Sequence, residues 1–385
     1  MSTPPGFSPE QLEDRGAGWT AREIAQQPAV WKETGRTVGS HREDANAFLQ
    51  PLLGLPDLRI VLTGAGTSAF VGEILAPALS LRLGRRVDAV ATTDIVSNPN
   101  EYFAEDLPTL LVSFARSGNS PESAAATALA DRCLSECHHL VLTCDPDGQL
   151  YTDHAGGERS LVLLMPAATN DQGFAMTSSF TSMVLAAWLV LGDVAPEGLV
   201  ARLSSAAERL LSTRHEQARG LASSGYGRVV YLGSGPLKGL AHESALKMLE
   251  LTAGEVVATF DSPLGFRHGP KSIIDERTLA VVYVSGDPYT RRYDLDLLTE
   301  LQRSMRPESV IAVAATPVGE TEAWLLDGLE SLEDPALAVP FVLVAQLLAL
   351  YFSLALGHTP DNPFPDREVN RVVQGVHIHP PENIR

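Results

Sequence analysis

The run Arg59-Ile60-Val61-Leu62-Thr63-Gly64-Ala65-Gly66 returns as Arg228-Val229-Val230-Tyr231-Leu232-Gly233-Ser234-Gly235, and Gly64 and Gly233 stand 169 residues apart. Each copy reads as a buried strand, a G-x-G turn and the start of a helix, and Glu73 and Glu243 follow at nearly matching places. A single strand–turn–helix unit cannot bury its own apolar faces. Its recurrence at this distance therefore predicts a duplicated α/β domain.

The stretches between the copies fit that plan. Further strands are expected at Val87–Ala91, Thr109–Phe114, Leu140–Cys144 and Ser160–Met165, and after the second copy at Leu279–Ser285 and Val310–Ala314. Helices are expected to about Leu83, over Ala124–Cys137 and over Ser179–Leu191, with one long connector from Pro196 to about Gly220. Strand–helix alternation means parallel sheets covered by helices on both faces, a three-layer αβα arrangement in each half. The expected organisation is a helical arm over 1–50, a first domain over 51–220, a second over 221–360 and a tail over 361–385. In the arm, Gln26-Gln27-Pro28 is expected to end or bend a helix. The proline-rich tail is expected to run extended, with a short strand around Val372–Ile378.

Charge and cysteine usage narrow the function classes. The net charge is −18, the pI is about 4.9, and no Lys/Arg stripe is present, so no nucleic-acid partner is expected. The cysteines are Cys133, Cys137 and Cys144, a poor disulfide framework in number and spacing. Cys133 and Cys137 fall one turn apart on the expected helix, and no Cys/His set has zinc-site spacing. No metal and no cofactor are expected. The N-terminus has no apolar signal region, and the apolar run Ala336–Leu356 carries Pro340 and Gln346. That run reads as a buried helix, so no membrane partner and a reducing, cytoplasmic location are expected.

One helix carries an unusual set of charges. Glu243, Lys247 and Glu250 follow spacings of four and three, which puts them on one face, flanked by Leu240, Ala245, Leu246, Met248, Leu249 and Leu251. His268 lies in a loop downstream. An exposed i, i+4 pair has this spacing too, and so does a proton-transfer site built from an acid, a cation and a histidine.

Three loops of the first half are rich in hydroxyls where strands hand over to helices: Gly64–Ser68, Ser113–Ser123 and Thr169–Thr181. Helix N-termini offer free N–H groups, and with Ser/Thr hydroxyls and Arg116 they could cradle a phosphate. N-capping uses the same residue types. Gly64-Ala65-Gly66-Thr67-Ser68-Ala69 also fits a dinucleotide fingerprint, but Thr92-Thr93 stand near where its acid belongs and Asp94 comes later than the motif expects. No G-K-[ST] follows, which excludes a P-loop.

GAGTS at 64–68 and SGNSPES at 117–123, within a duplicated α/β domain, resemble the sugar isomerase (SIS) domain. The Glu243–Lys247–Glu250 helix and His268-Gly269-Pro270 are similar to the isomerase half of glucosamine-6-phosphate synthase. TNDQGFAMTSSFTSM, HESALKMLELTAGEV, FDSPLGFRHGPKS and EVNRVVQGV resemble the AgaS-type galactosamine-6-phosphate deaminase/isomerases. The resemblance implies two tandem SIS domains and a homodimer whose active site lies at the subunit interface, with the His268 loop lent to the neighbour. It implies phosphate and substrate binding by Gly66, Thr67, Ser68, Arg116, Ser117, Asn119, Ser120, Thr177, Ser178 and Gln374. It implies catalysis by Glu250, His268, Lys247 and Glu243 on a phosphorylated amino sugar. Gln374 stands where the synthase-like enzymes carry a tail lysine, and no lysine follows Lys271, so Schiff-base chemistry from the tail is not expected. No glutaminase domain is expected ahead of the pair, and the degradative direction is expected. The implied reaction is galactosamine 6-phosphate to tagatose 6-phosphate and ammonia. The alternatives are a plain aldose–ketose isomerase, a glucosamine-6-phosphate deaminase and a non-catalytic sugar-phosphate sensor.

Overall fold

A computed structural model of the chain describes residues 7–319, 323–366, 369–373 and 375–380. Its strands form two five-stranded sheets in which every pairing is parallel. The first holds β1 (Arg59–Thr63), β2 (Val87–Ala89), β3 (Thr109–Ala115), β4 (Cys137–Thr143) and β5 (Ser160–Leu164), in the order β2-β1-β3-β4-β5. The second holds β6 (Arg228–Leu232), β7 (Val257–Asp261), β8 (Thr278–Tyr283), β9 (Val310–Ala314) and β10 (Ala323–Leu325). Its order, β7-β6-β8-β9-β10, is the same winding, with β6 in the place of β1.

The helices are α1 (Pro9–Asp14), α2 (Gly18–Ser40), α3 (Arg42–Leu53), α4 (Thr67–Leu83), α5 (Thr92–Ser97), α6 (Pro99–Tyr102), α7 (Pro121–Cys133) and α8 (Gln149–His154). They continue with α9 (Ser178–Leu191), α10 (Leu199–Thr213), α11 (His215–Ala222), α12 (Pro236–Leu251), α13 (Pro263–Phe266), α14 (Thr290–Ser304) and α15 (Asp334–Leu356). This is the expected pair of α/β domains.

The duplication extends to backbone angles. Gly66 has φ +54° and ψ −128°, and Gly235 has φ +54° and ψ −126°. Side chains are strongly disfavoured in that region, so both turns require glycine. Each glycine caps the helix that leaves its strand.

The chain divides into two compact units. One comprises Glu33–Asn170, Ser182–Pro196 and the described residues from Val369 on, and it contains the first sheet. The other comprises the described residues up to Lys32, Asp171–Thr181 and those from Glu197 to 366, and it contains the second sheet. The cores are the inner strands: all of β3 and all of β8 are buried. α15 is apolar and long enough to cross a membrane, yet every residue from Asp334 to Leu354 is buried within its unit. Its one amide, Gln346, accepts a hydrogen bond from Gln27 Nε2 at 2.6 Å.

Four sequence expectations fail for identifiable reasons. Of the two outcomes expected at Pro28, the ending is the one that fails: α2 runs on through it, and Gln27 Nε2 donates to the Ile24 carbonyl (3.3 Å) that the missing Pro28 N–H would have served. The long connector is two helices, α10 and α11. Near the break, Ser212 and Thr213 hydroxyls both donate back to the Arg209 carbonyl, and the Arg214 side chain donates to Gln217 and Ala323. Helix α7 stops at Cys133, where Asp106 takes the backbone N–H and hydroxyl of Ser135. Cys137 therefore opens β4 and does not lie on a helix with Cys133. Finally, none of the described residues between Val372 and Ile378 forms a strand; nearby, the Arg371 carbonyl accepts from Arg116.

Candidate active site

At the C-terminal ends of the first sheet, Thr67 and Ser68 open α4 and are buried. Ser120 caps α7, accepting from Ser123 N at 3.3 Å, and its hydroxyl also meets Ser123 Oγ at 2.6 Å. Ser117 Oγ accepts from Asn119 N (3.3 Å), and Asn119 Oδ1 accepts from Gln149 N (2.9 Å). Arg116 is buried and donates to Arg371 O at 2.7 Å. Capping and loop bracing therefore use part of the polar capacity of Ser117, Asn119 and Ser120.

Three hydroxyls beneath these loops are different. Thr63, Ser113 and Thr143 lie at or near the ends of β1, β3 and β4, buried and without a hydrogen-bond partner. Register places Thr63 beside Ser113 and Thr143 beside Ala115. A buried unsatisfied hydroxyl costs about 1–3 kcal/mol, so a run of them at the strand ends where open α/β sheets take ligands makes this edge a candidate site for a polar partner. Thr63 and Thr143 were not among the sequence candidates. Their signal was a hydroxyl closing the apolar runs Ile60-Val61-Leu62 and Leu140-Val141-Leu142.

Thr177 and Ser178 have a different setting. Asp171, fully buried, accepts from the backbone N–H groups of Thr177 (2.8 Å), Ser178 (3.1 Å) and Ser179 (2.9 Å), and from the Thr177 and Ser179 hydroxyls. Ser178 Oγ donates to Glu23 O and accepts from Gln26 Nε2. The two side chains are sealed, with these groups turned into the protein. Glu23 braces the same turn by accepting from Gln172 N (2.5 Å) and Gly173 N (3.1 Å). Burial, reinforced by the charge of Asp171, pushes its carboxyl up to about 8.

On α12 the charged stripe is not an exposed pair. Glu243 and Lys247 side chains are 0% exposed, and Glu250 keeps 24%. Lys247 Nζ lies 3.6 Å from Glu243 Oε1 and donates to Glu250 Oε2. Burying an ammonium costs several kcal/mol unless carboxylates flank it, and here two do. Next to them Ser244 Oγ meets Tyr283 Oη at 2.8 Å. Glu250 is thus the one member of the stripe with a route to solvent or a ligand.

His268 is exposed, on the loop after α13. Among the described residues none hydrogen-bonds its ring. Phe266 anchors the loop in the core, while Arg267 and Lys271 both donate to Glu300. Gln374 lies outside the described residues.

The structure also assembles a group that sequence spacing did not reveal. Ligand atoms of Asp131, Cys137 and His139 come within 4.8 Å of one another. His139 Nε2 pairs with Asp131 Oδ1 at 2.8 Å, and burial pushes the Cys137 thiol up to about 12, so it stays protonated. Cys137 opens β4, at the opposite end of that strand from the hydroxyl-rich loops.

In the second sheet the equivalent loop donors are already engaged. Asp294 accepts from Ser234 Oγ (2.5 Å) and Ser285 N (2.9 Å), and Asp334 accepts from Ser285 Oγ (2.6 Å) and Gly286 N (2.7 Å). The first sheet's ligand end has orphaned hydroxyls, and the second fills its own with carboxylates.

Two identically wound parallel sheets with hydroxyl-rich strand ends define a tandem sugar-isomerase-type α/β protein, and the SIS domain family model matches residues 56–191. The D-galactosamine-6-phosphate deaminase AgaS of Shewanella sp. (strain ANA-3) is 46% identical over 97% of this chain and 95% of its own length. The protein of the same name from Escherichia coli is 48% identical over 94% of this chain and 96% of its own. The crystal structure of tagatose-6-phosphate ketose/aldose isomerase from Escherichia coli superposes with a TM-score of 0.87 at 45% identity, covering 94% of this chain and 96% of that one. The chain belongs to the AgaS group of the SIS-domain family.

Proposed function

We propose that this chain is an enzyme that converts galactosamine 6-phosphate to tagatose 6-phosphate and ammonium. The observation that carries the reading is the buried Glu243–Lys247–Glu250 stripe, a sealed cation between two carboxylates of which only Glu250 is reachable. It is supported by likeness to the AgaS deaminases along nearly the whole chain. The phosphate is assigned to Ser68, Ser117 and Ser120 with Gly66, Thr67, Arg116 and Asn119, at the sheet edge whose hydroxyls lack partners.

In this mechanism His268 transfers the proton that opens the sugar ring. Glu250 takes the C2 proton of the open aldehyde while a proton of the substrate's ammonium passes to the aldehyde oxygen, leaving a neutral enaminol, and Glu250 then returns its proton at C1. Lys247 offsets the negative charge that develops on the way. The product is a C2 iminium, and water then adds and releases ammonium and the ketose. Water enters only at this last step, after the proton transfers. The working unit is a homodimer in a reducing cytoplasm, with the exposed His268 loop serving the neighbouring subunit.

A second reading is plain aldose–ketose interconversion of tagatose 6-phosphate, favoured by the name of the similar crystal structure. The same proton relay suffices when C2 carries a hydroxyl. The experiment is ammonium release from galactosamine 6-phosphate and glucosamine 6-phosphate, run beside isomerisation of tagatose 6-phosphate. Ammonium from the galacto substrate is expected. Turnover of tagatose 6-phosphate with no ammonium from either amino sugar selects the second reading.

A further inference from the structure

The loop that presents His268 is held from both sides by one carboxylate. Arg267 and Lys271 bracket the segment His268-Gly269-Pro270. Arg267 Nε donates to Glu300 Oε2 at 2.9 Å, and Lys271 Nζ donates to Glu300 Oε1, so each oxygen holds one end of the segment. Glu300 sits on α14, whose buried face of Leu297, Leu298 and Leu301 belongs to the same core as Phe266. The clamp is therefore fixed to the scaffold and does not drift with the loop. These two contacts hold the Glu300 carboxyl below its usual range, so it is ionised throughout the neutral region.

We propose that Glu300 is a positioning residue for His268, holding the exposed loop in the one arrangement from which the imidazole can reach a sugar ring. The proposal rests on the reading that His268 opens the ring. The physical case is entropic. A loop crossing Gly269, at φ +123°, has backbone freedom that other residues lack, and each residue left unordered has to be fixed at an entropic cost when substrate arrives. A single partly exposed ion pair contributes little to stability. Two pairs converging on one rigid carboxylate act on geometry, and small displacements of a catalytic group are expensive in rate. Glu300 thus affects catalysis far more than folding.

The test is a double-mutant cycle with two substrates. Glu300→Gln keeps the length of the side chain and removes the charge that both cations hold. It is expected to lower kcat on galactosamine 6-phosphate by about 10-fold or more, with thermal stability and KM nearly unchanged. In a His268→Ala background, Glu300→Gln is expected to cause no further loss, because its effect passes through His268. On an analogue lacking both the C4 and C5 hydroxyls, which can close neither a furanose nor a pyranose ring, both variants are expected to regain the turnover that the wild-type enzyme shows on the same analogue. Additive losses in the cycle, or a Glu300→Gln enzyme as fast as wild type, overturn the proposal while leaving His268 its role. A His268→Ala enzyme with undiminished rate on the cyclic substrate overturns the ring-opening reading itself. If Glu300→Gln unfolds, Arg267→Gln with Lys271→Gln releases the same loop without touching α14, and the same non-additivity with His268→Ala is required.

Discussion

Glu23 and Asp171, both sealed from solvent, divide one turn between them. Glu23 accepts the backbone N–H groups of Gln172 and Gly173, and Asp171 accepts those of Thr177, Ser178 and Ser179. Burial, reinforced by the charge of Asp171, pushes the Glu23 carboxyl up to about 8.

A pH dependence of stability follows. Between about 4.5 and about 8 the folded chain keeps a proton on Glu23 that the unfolded chain has lost. Stability therefore falls as pH rises through that window, and the penalty is complete above it. Asp294, raised to about 6, acts the same way at lower pH, so the Glu23 contribution is read as the difference between Glu23→Gln and wild type from pH 6.5 to 9. Glu23→Gln is expected to flatten the decline over that interval, read by urea unfolding. Parallel declines in variant and wild type would sink the assignment.

Phosphate binding should map to the first sheet. Ser68→Ala, Ser117→Ala and Ser120→Ala are each expected to raise KM several-fold with kcat little changed, since phosphate contacts are common to ground and transition states. Steady-state kinetics on galactosamine 6-phosphate measures this. A phosphate or sulfate found only at the 233–238 turn, where Asp294 already takes the Ser234 hydroxyl, would contradict it.

Glu250 should be the base that Glu243 cannot be. Glu250→Gln is expected to lower kcat about 100-fold or more while substrate still binds. The decisive measurement is exchange of the C2 hydrogen with deuterated water. Glu250→Gln should abolish it, and Glu243→Gln, which disturbs only the sealed partner of Lys247, should retain some. Wild-type exchange in Glu250→Gln would show that the base lies elsewhere.

If His268 serves a neighbour's site, inactive His268→Ala and Glu250→Gln chains should recover activity when mixed. One of the two sites in each heterodimer would then be intact, giving about a quarter of wild-type activity in a statistical mixture. Heterodimers confirmed by mass spectrometry yet inactive would place both residues in one subunit's site.

The fold was legible because the repeat was. Two strand–glycine–helix units at a fixed distance leave few arrangements, and the matching angles at Gly66 and Gly235 are that repeat seen in the backbone. Pro28 misled because its rescue comes from the side chain of the residue before it, which no propensity anticipates. Thr177 and Ser178 look like ligand donors in sequence because a hydroxyl-rich turn reads alike whether it faces a phosphate or an internal carboxylate. Glu23, which braces that turn, is about 150 residues away in the chain. The spacing of Glu243 and Lys247 was legible but their burial was not, since an i, i+4 pair looks the same at the surface.

The burial of α15 has a consequence for how the protein is made. It lies against α10, α11 and α12, all of which leave the ribosome well before it. Until residues 334–356 emerge, the side of α12 that they cover has nothing apolar to close on. The waiting chain holds α12 with its apolar cover unfinished, and the late helix itself is apolar enough to associate with other exposed apolar surface. The unit that carries Glu243, Lys247 and Glu250 therefore matures after the first sheet, whose strands are complete by Leu164. Vectorial synthesis delivers the first sheet early and the cover of the charged helix late.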